Sequence, residues 1–179
     1  MRGLSLIWMC ALGLVVTGKG WAQPGSAQDL AIERAIALGK AGQIEDGLAQ
    51  LHPYLQAPSA SNAKACYVAG FLLKERFKKD ALSGSLSGDR AEAVRRLRQA
   101  LALDAQRAAP WRHSAEKALG YLGGTYFDDV VRAVGSFEPG QEDRVLALFE
   151  AHEEVATFLD PTLDATVERT EVHKNMARS

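Results

Sequence analysis

Apolar residues recur every third or fourth position along most of the chain, and this 3.6-residue period predicts α-helix wherever it is visible. Ile32, Ala35 and Ile36 mark one stripe, and Ile44, Leu48, Leu51 and Leu55 mark a second. Gly42 lies between them, placed to end the first helix, so 29–56 reads as a helical hairpin. A connector holding Pro58 follows, with Ser61 or Asn62 available as an N-cap, and 63–80 is helix-forming throughout. The LSGSLSG stretch at 82–88 reads as a flexible loop; Asp89 is placed to cap a helix over 90–104, striped by Ala93, Val94, Leu97, Ala100 and Leu101. Pro110 suits the first turn of a helix over 111–123, which residues 127–134 either continue or follow as a short helix beyond Gly123-Gly124. Pro139-Gly140 predicts a turn, 141–159 a long helix ending before Pro161, and 162–179 a polar, frayed tail. No segment has a convincing period of 2. The predicted fold class is therefore all-α, built as three antiparallel hairpins without a sheet.

The N-terminus reads differently. Met1-Arg2 is a short positive start, Leu4 to Val16 is a mostly apolar run, and Gly20-Trp21-Ala22 offers small residues where a signal peptidase reads, so 1–22 is predicted to be a secretory signal and 23–28 a linker. The run is too short for an anchor, which needs about 20 apolar residues to cross the hydrocarbon. The expectation is a periplasmic or secreted protein with no stable membrane insertion after cleavage. Cleavage removes Cys10 and leaves Cys66 alone, so no intramolecular disulfide is expected and stability must come from packing. It also removes Arg2 and Lys19, leaving 19 basic residues against 22 acids. That balance argues against nucleic acid as a partner.

Three helix pairs invite a search for internal repeats. Ala35, Gly42, Gly47 and Leu51 in the first pair, Gly70, Gly88, Ala93, Leu97 and Ala100 in the second, and Leu119, Leu122, Gly123 and Tyr126 with Ala156 and Pro161 in the third fall at corresponding spacings. The phrase GDRAEAVRRLRQALALD at 88–104 carries the pattern best. In these features the chain resembles the tetratricopeptide repeat family, a helix-turn-helix unit that stacks into a superhelix. The resemblance implies a repeat domain over 29–161. The second and third pairs are longer than the family unit, which implies lengthened first helices or insertions. Small residues sit where helices approach closely, since larger side chains would pry them apart.

The resemblance also implies a groove lined by the first helix of each pair. Its positions here are Asp29, Ile32, Ile36 and Gly39, then Lys64, Tyr67, Phe71 and Lys74, then Lys117, Gly120, Gly124 and Phe127. Lys64, Tyr67, Phe71, Lys74, Lys117 and Phe127 are the expected contacts for a protein or peptide partner, because aromatic anchors beside cations suit such recognition. Ile32 and Ile36 stand where the family's chaperone-tail clamp has Lys and Asn, so that activity is not expected.

Catalytic chemistry is sparse. His52, His113, His152 and His173 lie far apart, and none belongs to an HExxH or His-x-His pair. In FEAHEEV only Glu150 and Glu154 share a helical face, which reads as a solvated acidic surface. No nucleophile elbow or phosphate-cradling loop is present, so no enzyme activity, cofactor or metal is expected. Charge is lopsided: Lys74 to Arg112 holds 10 basic and 5 acidic residues, and Glu116 to Glu168 holds 3 basic and 12 acidic. These segments either pair internally or steer a charged partner. The sequence thus favours an exported, non-catalytic interaction module of a bacterial envelope, over an immunity or inhibitor protein and over a hydrolase or metal protein using Glu150, His152 and Glu154.

Overall fold

A computed structural model describes residues 26–56, 62–82 and 88–178. They form seven α-helices: α1 (Ala27–Lys40), α2 (Ile44–Leu55), α3 (Ala63–Leu82), α4 (Asp89–Leu103), α5 (Arg112–Gly135), α6 (Glu142–Leu159) and α7 (Thr166–Met176). No strand occurs among these residues, and the chain is all-α. None of the helices is long and apolar enough to cross a membrane. The predicted signal at 1–22 lies outside the described residues, as does most of the LSGSLSG loop.

Local chemistry sets the boundaries. α1 begins two residues before the predicted start, inside the expected linker, because Ser26 and Asp29 form a capping box: Ser26 Oγ accepts from the Asp29 amide, and the Asp29 carboxylate accepts from the Ser26 amide. α1 ends with Gly42 at φ +78°, the Gly42 amide donating to Gly39 and the Gln43 amide to Leu38, a closure that needs a left-handed residue. Asn62 caps α3, its side-chain oxygen accepting from the Ala65 amide at 2.9 Å. Asp89 does not cap α4, contrary to expectation. Its carboxylate is held by Arg76 through two hydrogen bonds of 2.5 and 2.6 Å, and Gly88 takes the N-cap position.

The two longest helices are α5, with 24 residues, and α3, with 20. α5 runs unbroken through Gly123-Gly124, and Gly123 earns its place by contact, since a β-carbon there would lie 2.7 Å from Val155 Cγ1. From α1 to α6 each helix packs on the next, most extensively α3 on α4, α5 on α6 and α1 on α2, while α1 also touches α3, α3 touches α5 and α5 touches α7.

Three apolar clusters run along the molecule. Ile32, Ala35, Leu51, Ala65, Val68, Ala69 and Leu72 join α1, α2 and α3. Phe77, Ala93, Leu97, Leu101, Leu119, Leu122 and Val155 join α3 to α6. Val130, Val145, Phe149, Ala165, Val172 and Met176 join α5, α6 and α7. Each large side chain so buried contributes about 1.5 to 3 kcal/mol.

The third cluster corrects the expectation of a frayed tail at 162–179. Asp164 opens the segment by accepting from the Thr166 amide and hydroxyl, and Val172 and Met176, one turn apart, bury against Val130 of α5 and Val145 and Phe149 of α6. Arg169 pairs with Glu153 and lies over the Phe149 ring, tying the polar face of α7 to α6.

Candidate functional site

The strip on α3 forms. Lys64, Tyr67, Phe71 and Lys74 follow one another along successive turns, and the Tyr67 and Phe71 rings lie 6.1 Å apart, tilted by 51°. Lys74 Nζ sits 4.0 Å above the Phe71 ring, within cation–π range. The lysines are not free charges. Lys64 pairs with Glu33 of α1 at 2.7 Å, and Lys74, with only 12% of its side chain exposed, pairs with Glu75 at 2.6 Å.

The two aromatics differ in setting. Tyr67 packs against both the first and second clusters and stacks on Trp111, with centroids 5.0 Å apart and planes within 13°. It links the start of α5 to α3 and is partly a core residue. Phe71 is half-buried and belongs to neither cluster.

Phe71 instead forms one wall of a pocket of about 330 Å³. Ile36, Gly39 and Lys40 of α1 and Ile44 of α2 face Tyr67, Val68, Phe71, Leu72 and Glu75 of α3 across it. Gly39 permits the approach of the helices: a β-carbon there would fall 2.5 Å from Leu72 Cδ2. The lining is almost wholly apolar, with Lys40 and Glu75 as its charged residues. Such a hollow receives a hydrophobic group and offers polar contacts only at its edge.

The other groove positions separate. Asp29 is spent in the Ser26 capping box, and Ile32 is fully buried in the first cluster, where it cannot line a groove. Lys117 is exposed on α5, outside the pocket. Phe127 is 38% exposed and turns toward α6, its ring 5.0 Å from that of His152. The face of α5 that meets α3 carries Trp111 and Tyr121 instead, the latter 5.7 Å beneath Lys78 Nζ. Sequence spacing along α3 placed Tyr67 and Phe71. It missed Lys40, Ile44 and Glu75, whose common location depends on three helices meeting, and Trp111, which follows a loop.

In FEAHEEV, His152, Glu153 and Glu154 each have a partner. His152 Nδ1 lies 2.9 Å from the Gly123 carbonyl and must carry the proton, since a carbonyl only accepts. Glu154 pairs with Arg98 of α4 and Glu153 with Arg169 of α7. Among the described residues no three His, Cys, Asp or Glu side chains are grouped to hold a metal ion. Cys66 is fully buried, and burial pushes its thiol up against the opposing pull of Arg96 and Arg95, which disfavours the reactive thiolate.

The charge asymmetry is partly consumed inside the molecule. Arg90 pairs with Asp129 of α5 at 2.7 Å and lies 3.7 Å above the Tyr126 ring, and Arg98 reaches Glu154 of α6. Arg95 and Arg96 share Glu92, and Arg96 also donates to the Leu55 carbonyl at the end of α2. Arg90, Arg96 and Arg98 therefore tie α4 to α5, α2 and α6, while Arg95 pairs only within α4. Compared with family models, curated proteins and solved structures, the chain finds no match.

Proposed function

We propose that this chain is an exported, non-catalytic interaction module of the bacterial envelope, periplasmic or secreted, which grips a protein or peptide by inserting an apolar side chain between α1 and α3. The observation that carries this proposal is the apolar pocket walled by Ile36, Ile44 and Phe71, with the Tyr67–Phe71–Lys74 ladder along its side. A large apolar side chain that leaves water there contributes at most about 1.5 to 3 kcal/mol, so affinity depends on how completely the pocket closes over it.

The helices stack, in this proposal, as three tetratricopeptide-like hairpins with α7 covering the last. Three features support the arrangement: α1 meets α3 and α3 meets α5, Gly70 lies against Leu97 in the second pair, and Gly123 lies against Val155 in the third. α7 then plays the part of a terminal cap, which stacked repeats need where their last apolar face would meet water.

The test uses one variant and two readings. Phe71→Ala should weaken partner binding while the melting temperature falls only slightly, because the ring belongs to neither adjoining core cluster. A large stability loss with binding reduced in proportion would return Phe71 to the core and remove the pocket from the site.

A further inference from the structure

Resting on the pocket proposed above, we infer that the partner segment is an acidic peptide: one bulky apolar side chain to fill the pocket, flanked by a carboxylate that meets Lys40. Lys40 lines the pocket from the last turn of α1, is exposed, and makes no ion pair among the described residues. Across the pocket, Glu75 is paired with Lys74 at 2.6 Å and lies 3.8 Å from Lys78. Elsewhere on α3, Lys64 is paired with Glu33, and Arg76 is held by Glu45 and Asp89. With Glu75 paired by Lys74, Lys40 is the lining's one charged residue without an ion pair among the described residues, beside an apolar interior.

That combination selects by sign. An acidic residue beside the anchor gains Lys40 as a partner, and a basic one is repelled by it. The volume of about 330 Å³ lies at the small end for ligand sites, which suits a side chain rather than a long acyl chain.

The experiment measures fluorescence polarisation of three labelled peptides with the full protein: Gly-Asp-Leu-Phe-Asp-Gly, the same peptide with both Asp replaced by Lys, and the same peptide with Leu-Phe replaced by Ser-Ser. The acidic Leu-Phe peptide should bind about three- to tenfold tighter than the basic one at low salt, with the gap narrowing as salt rises. Lys40→Glu, a change at an exposed position, should reverse the preference. Equal binding by the acidic and basic peptides, or no response to Lys40→Glu, overturns the charge inference and leaves the pocket standing. Binding of neither Leu-Phe peptide, or equal binding of the Ser-Ser peptide, overturns the pocket itself. Sedimentation of the protein alone as a dimer that Lys40→Glu dissociates would place a second copy there, and overturns the inference as well.

Discussion

Gly70 and Leu97 meet at a distance that leaves no room for a β-carbon: one built on Gly70 would lie 2.8 Å from Leu97 Cγ and 3.1 Å from the Leu97 backbone nitrogen. Because backbone as well as side chain is close, α3 and α4 touch here in a way that rotamer changes alone cannot relieve. A close approach inside the most extensive helix pair therefore rests on an absent side chain.

Gly70→Ala should destabilise the protein by about 1 to 3 kcal/mol despite the better helix propensity of alanine. Gly124→Ala is the matched control, since nothing lies within 4 Å of its β-carbon, and should gain up to about 1 kcal/mol. Urea denaturation of both variants checks the pair. Effects of the same sign would mean that the α3–α4 approach is not as close as described.

Met176→Ala tests α7. Met176 and Val172 bury against Val130, Val145 and Phe149, so truncation should cost about 2 kcal/mol, the low end for a buried methionine this near a chain end. A melting curve identical to that of the unaltered protein would restore the frayed tail.

Glu92 supplies a pH-dependent contribution. Burial raises its carboxyl, but hydrogen bonds from Arg95 and Arg96 outweigh burial and leave it below its ordinary 4.5. A carboxyl lowered by folding adds stability that is present above its unfolded value and is lost as pH falls through the folded one. The stability difference between wild type and Glu92→Gln should therefore be full at neutral pH and shrink as pH drops below 4.5. A difference that grows on acidification would contradict the assignment.

Six of the helices were legible because their apolar residues repeat over several turns and Gly42, Pro110 and Pro139-Gly140 punctuate them. α7 leaves little trace in the sequence because its stripe consists of little more than Val172 and Met176 on an otherwise polar segment. Asp89 departs from its expected role for a different reason. A carboxylate at a helix start can cap or can pair, and the position of Arg76 on another helix decides which. The same limit applies to the site: Lys64, Tyr67, Phe71 and Lys74 lie on one helix, so spacing aligned them, while Ile44 and Lys40 reach the pocket only through the packing of α1 and α2 on α3.

Isoleucine methyl labelling tests the central claim most directly, because beyond the predicted signal the chain has only Ile32, Ile36 and Ile44. Ile36 and Ile44 line the pocket and Ile32 is fully buried behind it, so three resonances report the site and its background. On titration with an apolar-anchored peptide, the Ile36 and Ile44 methyl signals should shift progressively and saturate together, with Ile32 moving far less. Saturable binding that leaves Ile36 and Ile44 unmoved would place the partner elsewhere and contradict the account.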